Sequence, residues 1–424
     1  MNDTVVLKSL ILESKDGEWG KSKPFEKSKG MLVIRGTDFL DVRVGKLENL
    51  PFRYIPSHIA YRKYLQPNDI LIETAGGSGN RPTGRTLFIK KEIIQKLSHP
   101  VTCASFSRFI RINSQKANPN FIFWYLQHMY AYGSMWQYNT RHTGVARFQY
   151  TIFSETEPFI LPSLNIQNKI ATILSSYDNL IENNIHRIKL LEEMAKAMFQ
   201  EWFVHYRYPG YEKVRMVDSN IEFGKIPEEW ELCKLIDFVS FERGIEPGSR
   251  NYLDSPRENA VPFLRVGDLN KRDSSVYIIA ELSKNKYIRE NDIVISLDGT
   301  VGIVRIGLSG CYSTGIRKII FRNSERIGWA YTYLLLQSKQ IQDVIHAHAR
   351  GTTILHSGTA LDQLLLLLPP QNIMNRFEEL VSPMLYMILI LEKKNNCLQQ
   401  TRDYLLPRLI SGELDVSELN IQIK

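Results

Sequence analysis

The chain has 424 residues, of which 43% are apolar, enough for ordinary packed cores and for two or three domains of about 150 residues each. No run of about 18 apolar residues occurs, which excludes a membrane-spanning helix; the most apolar run, Leu364–Leu368, is far too short. A net charge of +8 favours a polyanionic partner without naming one.

The N-terminal MNDTVVLKSL has no basic stretch followed by an apolar segment, so no signal peptide is expected. Cys103, Cys233, Cys311 and Cys397 are far apart and form no CxxC, which argues against a disulfide framework or a zinc ribbon and fits a reduced, cytoplasmic setting.

In chain order, Ile34–Phe39 carries Arg35 and Asp38 three residues apart, a spacing that suits a local pair bracing a loop. Tyr64–Ile72 (YLQPNDILI) reads as an Asn-Asp turn leading into a buried strand. Gly76 and Gly79 follow, where the chain must turn tightly. Gly79–Thr86 is one residue from a phosphate-binding P-loop. Arg85 stands where the lysine should be and Pro82 removes a loop N–H, so a loop facing a nucleic-acid backbone or base edge is the better reading. Arg111, Lys116 and Arg141 add basic groups. Asn118-Pro119-Asn120-Phe121 is near the Asn-Pro-Pro-aromatic motif of amino-methyltransferases. With its second proline missing and no glycine-rich turn, it reads as a turn before a helix over Phe121–Met129. Arg141–Arg147 mixes basic, hydroxyl and glycine residues, which suits phosphate contacts.

Asn165–Phe203 is a long helical pattern, with apolar residues at Ile170, Leu174, Tyr177, Ile181, Ile185, Ile188, Leu191, Ala195, Met198 and Trp202. Steps of three and four make a narrow stripe, the seam of a coiled coil. Such a helix runs to roughly 60 Å at about 1.5 Å per residue. Loops are expected over Arg207–Gly224, and Ile226-Pro227-Glu228-Glu229-Trp230 opens a second globular part.

From there the chain repeats itself. Leu264–Leu269 again sets Arg265 and Asp268 three apart, Tyr287–Ile295 (YIRENDIVI) matches Tyr64–Ile72, and Gly299 and Gly302 match Gly76 and Gly79. The following loop is shorter, Ile303–Gly307. Lys271, Arg272, Arg317, Lys318 and Arg350 are the basic groups of this copy. His346 and His348 have no ligand partners at metal-binding spacing and read as surface or helix residues. Arg350–Ile354 is the counterpart of Arg141–Arg147. The final helix, Asn372–Ile410, lies at an offset of 207 from Asn165 and carries its stripe at Phe377, Val381, Met384, Ile388, Leu391 and Leu398. Pro383 predicts a kink or a break. Asn395 falls on the stripe, where a buried polar residue fixes register; an exposed edge is the alternative. The fold class is therefore α+β: a tandem repeat of two strand-rich domains, each followed by one long helix whose coiled-coil stripe has a ready partner in the other copy.

Taken together, these features resemble the specificity subunit of a type I restriction–modification system. The carriers are the paired Leu161-Pro162 and Leu368-Pro369 with the Asn-Ile segments after them, the two Asn-Asp-Ile turns, the Ile226–Trp230 opening, and the endings Tyr404-Leu405-Leu406-Pro407 and Gly412-Glu413-Leu414. The chain departs in lacking an Ile-Pro-x-x-Trp opening at its start and in having Gln167 where the second copy has Met374. The resemblance implies target-recognition domains over residues 1–160 and 223–367, a central helical region over 161–222 and a C-terminal one over 368–424, the two long helices forming an antiparallel coiled coil that spaces the domains. It implies a non-catalytic chain that binds double-stranded DNA and two methyltransferase subunits, with restriction subunits as further partners. S-adenosylmethionine and ATP would belong to those partners, leaving no cofactor on this chain.

Each domain would read one half of a bipartite, asymmetric site, with half-sites about 10 bp apart centre to centre. The residues expected to meet DNA are Arg35, Ser78, Asn80, Arg81, Arg85, Arg141, Thr143 and Arg147 in the first copy. In the second they are Arg265, Lys271, Arg272, Thr300, Arg350, Thr352 and Thr353. Two other readings compete. A self-contained nuclease or methyltransferase needs a carboxylate cluster or a cofactor-binding turn, and neither is legible. A protein-binding coiled-coil adaptor would show no steeply salt-dependent affinity for DNA.

Overall fold

The computed structural model describes residues 3–77, 81–142, 145–219, 224–271, 274, 276–323, 325–349 and 358–421. The chain divides into two compact units, Met1–Ile185 with Lys394–Lys424, and His186–Lys393.

The first unit holds an antiparallel sheet in the spatial order Ile11–Asp16, Ser107–Ile112, Ile70–Glu73, Thr86–Phe88. A second sheet has the order Phe52–Pro56, Ser28–Ile34, Val101–Cys103, its last pair parallel. Asp3–Val6 pairs with Pro158–Leu161. The second unit repeats the scheme. Val239–Arg243, Ile316–Phe321, Val294–Ser296 and Val304–Arg305 form the matching sheet. Val276–Ile279, Ala260–Leu264 and Gly310–Tyr312 follow the second sheet, again with a parallel last pair, and Tyr287–Ile288 adds an edge. Glu231–Lys234 pairs with Leu365–Leu368. One extra sheet, Asn139–His142 with Val145–Phe148 and Ala75–Gly77, has no counterpart among the described residues of the second unit.

The Asn-Asp turns work alike in both copies. Asp69 Oδ2 accepts from the Gln66 N–H at 2.7 Å, and Asp292 Oδ2 from the Arg289 N–H at 2.8 Å. One recurring constraint is not visible in the sequence. A Cβ on Gly17 would lie 2.1 Å from the Cys103 carbonyl oxygen, and one on Gly244 would lie 2.2 Å from that of Tyr312. Only glycine lets the two backbones approach so closely.

Two long helices, Leu164–Phe199 and Gln371–Ser411, pass through both units. In the first unit, Ile170 and Leu174 share a core with Leu406 and Leu409, over Phe121, Trp124 and Phe159. Truncating one such buried leucine to alanine costs roughly 2–5 kcal/mol. Asp178 meets Arg402 and Asn184 meets Asn395, so the helices run antiparallel here. In the second unit, Phe199, Trp202 and Phe203 pack with Phe377 and Tyr331. The first helix continues there into a π turn, Gln200–Val204, which places the adjacent Trp202 and Phe203 both in the core. Trp230 of the Ile226–Trp230 opening stacks on Tyr208.

The expected break at Pro383 is absent. The second helix is unbroken from Gln371 to Ser411, with Pro383 on its exposed side. Burial of Phe377, Val381, Leu385 and Ile388 on either side of the proline outweighs the one backbone bond it removes. The helix at Asn118 starts as read: Asn118 Oδ1 accepts from the Asn120 and Phe121 N–H groups, with Pro119 in the first turn.

Candidate nucleic-acid interface

The two Arg-Asp spacings form the same device. The Arg35 N–H donates to Asp38 Oδ2 at 2.8 Å, and its guanidinium grips the same carboxylate at 2.8 and 2.9 Å. In the second unit the Arg265 N–H donates to Asp268 Oδ2 at 2.9 Å, with Nε at 3.4 Å. Each buried aspartate thereby caps a short turn, Gly36–Asp38 or Val266–Asp268. Each arginine keeps 42% of its side chain exposed. A local brace was the reading favoured by the spacing, and the geometry agrees.

Around the Arg35 turn the first unit gathers several loops. Arg85 donates from Nη2 to the Gly36 carbonyl at 2.8 Å and holds Glu73 through two bonds of 2.7 and 2.8 Å. Glu73 is buried at a strand end and needs a cation beside it. Arg85, one of the residues expected to meet DNA, thus braces the buried Glu73, whose hydrogen bond pushes the Arg85 pKa up. The loop before it is tied down where the Thr83 N–H donates to Asn139 Oδ1 at 2.8 Å and the Tyr130 hydroxyl to the Pro82 carbonyl at 2.9 Å. Arg81 is left exposed. Arg147, also exposed, lies opposite Ala75, two residues beyond Glu73. Beside them a cleft of about 360 Å³ is lined by Asp16, Thr74, Arg108, Phe148 and Tyr150, with Arg108 bound to Asp16 and lying over the Tyr150 ring.

The second unit assembles the equivalent loops. A Cβ on Gly315 would come within 2.7 Å of Val266 Cγ2 and 3.4 Å of Asp298 Cβ, so the segments at 266, 298 and 315 converge. Lys271 and Thr300 are exposed at their rim. Arg305 donates to the Leu269 carbonyl at 3.2 Å and to Asn270 Oδ1 at 2.9 Å, holding the Lys271 loop.

Ser78, Asn80, Thr143, Arg272, Arg350, Thr352 and Thr353 lie outside the described residues, and of Arg141 only its place in the strand Asn139–His142 is described. Other basic groups singled out by sequence turn inward. Arg111 binds Asp69 through bonds of 2.8 and 2.9 Å, and Lys318 lies 3.3 Å from Asp292, so both serve the Asn-Asp turns. Glu73, Asn139, Arg108 and Arg305 were not found by sequence reasoning, because their partners are 12 to 92 residues away in the chain. Among the described residues no three His, Cys, Asp or Glu side chains are placed to hold a metal ion.

Comparison with known proteins extends the geometry. The sequence model described as the type I restriction modification DNA specificity domain matches residues 11–193 and 227–400, once for each copy. The type I restriction enzyme MjaIX specificity subunit of Methanocaldococcus jannaschii is 29% identical over 61% of this chain and 61% of its own length. The HindI specificity subunit of Haemophilus influenzae is 23% identical over 60% of this chain and 68% of its own. The chain thus spans about three fifths of the first of these relatives. The crystal structure of a type I restriction–modification S subunit from M. genitalium superposes with a TM-score of 0.61, at 15% identity over 96% of both chains, and shares the fold.

Proposed function

The chain belongs to the type I restriction modification DNA specificity family, and on that premise we propose that it is the DNA-recognition subunit of a type I restriction–modification complex. It reads a bipartite, asymmetric site and takes no part in the chemistry. The observation that carries this is the duplication: one framework, with its Arg-Asp turns, occurs twice, while the loops around each turn differ. DNA has local two-fold symmetry, so two like domains suit two half-sites, and unlike loops make the half-sites differ in sequence. In this reading the target-recognition domains are residues 1–160 and 223–367, and the exposed Arg35, Arg81, Arg147, Arg265, Lys271 and Thr300 face the duplex.

The helical regions, 161–222 and 368–424, act as spacer and as the seat of two methyltransferase subunits, with restriction subunits joining the larger complex. Leu180, Leu190 and Met194 on the first helix, and Leu380, Tyr386, Met387 and Ile390 on the second, are exposed and support a docking role. S-adenosylmethionine and ATP are used by the partner chains.

Methylome sequencing of cells with and without the chain tests the proposal. A bipartite methylated motif that disappears with the chain is expected; an unchanged methylome contradicts it. Adding whole turns to both long helices should lengthen the unread gap, and a gap unchanged by the insertion would count against the spacer role.

A further inference from the structure

Phe106 is 64% exposed, yet its main chain is hydrogen-bonded to neighbouring segments. Its carbonyl accepts from the Thr74 N–H at 2.8 Å and the Ala75 N–H at 3.3 Å. The turn that carries it is closed by the Ser107 N–H on the Ala104 carbonyl at 2.8 Å and fastened to the Arg35 strand by the Ala104 N–H on the Ile34 carbonyl at 2.9 Å. Gly17 clamps the same turn from the other side, with its N–H on the Ser107 carbonyl at 2.8 Å. Ala75 thus has Phe106 on one side and Arg147 on the other. A large apolar ring is held out to solvent, on a rigid mount, among the exposed cations of the proposed DNA face.

The second unit builds the same turn without the ring. The Ile316 N–H closes it on the Ser313 carbonyl at 3.0 Å, the Ser313 N–H fastens it to the Leu264 carbonyl at 2.9 Å, and the Leu297 N–H donates to the Gly315 carbonyl at 3.0 Å. By these bonds Gly315 occupies the place of Phe106. It is buried against Val266, where a side chain would clash. The mount is shared, and the exposed aromatic belongs to one copy alone.

Single exposed apolar side chains are common on protein surfaces; what sets Phe106 apart is a main chain bonded on both sides and a place next to the exposed Arg147 on the proposed DNA face. Among the groups that duplex DNA offers beside its phosphates, the thymine 5-methyl is the apolar one in the major groove, and phenylalanine is among the side chains that read it. Resting on the DNA-recognition reading above, we propose that Phe106 is a specificity-determining residue that contacts a thymine methyl group in the half-site read by the first copy. The other half-site has no equivalent contact.

The test uses the assembled complex of this chain with its methyltransferase partner, and duplexes carrying the motif found by methylome sequencing. Each thymine is replaced in turn by deoxyuridine, which removes only the methyl, and affinity is measured for the wild type, Phe106→Ala and Phe106→Leu. At one thymine of one half-site, the replacement should weaken the wild type about fourfold, the value of one buried methyl-sized group. It should leave Phe106→Ala unchanged, with Phe106→Leu between. Additive effects at every thymine, or a half-site pair with no thymine at all, would overturn the assignment to Phe106 while leaving the DNA-recognition reading intact. No motif dependent on the chain would overturn both.

Discussion

Asn184 Nδ2 donates to Asn395 Oδ1 at 2.8 Å, from one long helix to the other within the first unit. Both residues fall on or beside apolar stripes, and Asn184 is buried. A polar pair in such a seam is satisfied in one register only, because sliding either helix by a turn strands both amides against apolar neighbours.

Asn395→Leu should therefore destabilise the first unit by about 1–3 kcal/mol, the cost of leaving a buried amide without its partner. The double replacement with Asn184→Leu should recover most of the loss, because two apolar residues suit the stripe. Urea unfolding of the four members of this cycle gives the coupling. Equal and additive losses would show that the amides act separately.

Asp178 lies between Arg43, at 2.8 Å, and Arg402. Burial opposes its ionisation, but the two guanidinium groups prevail and hold its carboxyl below the usual carboxylate range. A depressed carboxylate contributes stability that is present above the unfolded value of about 3.9 and is lost as pH falls through the lower folded value. Asp178→Asn should cost roughly 3–5 kcal/mol at neutral pH, since it leaves the buried Arg43 without a carboxylate and Arg402 with only the exposed Asp403. That difference from the wild type should shrink as pH is lowered below about 4. A difference constant across that range in urea unfolding would contradict the assignment.

Arg85 and Arg147 should separate in function. Arg147→Ala should weaken DNA binding and lower the slope of log affinity against log salt by about one, the signature of one lost phosphate contact, with stability unchanged. Arg85→Ala should act through the fold, because it abandons the buried Glu73 carboxylate, at a cost of roughly 3–5 kcal/mol. Paired salt titrations and unfolding curves distinguish the two; a lost salt dependence with normal stability for Arg85→Ala would reverse the roles.

The sequence made legible whatever depends on periodicity and on local spacing. The two stripes, the Asn68-Asp69 and Asn291-Asp292 turns and the Arg35–Asp38 and Arg265–Asp268 braces all follow from residues within a few positions of each other. Long-range matches stayed hidden. Glu73 could not be paired with Arg85, nor Asn184 with Asn395, without knowing which segments the fold brings together. Gly17 and Gly244 look like ordinary loop glycines until the carbonyls above them are seen. At Pro383 the helix is not broken, because the packing on the flanks of a local helix breaker is not legible in the sequence. The basic groups Arg85, Arg111 and Lys318 likewise have carboxylate partners, Glu73, Asp69 and Asp292, that charge alone does not reveal.

The central claim, that each copy reads its own half of the site, is tested most directly by a chimera. Residues Tyr61–Arg147 are replaced by the equivalent segment of a related chain, and the methylome of cells carrying the chimera is sequenced. One half-site should change while the other half and the gap stay as they were. Changes in both halves, or in neither, would contradict the account.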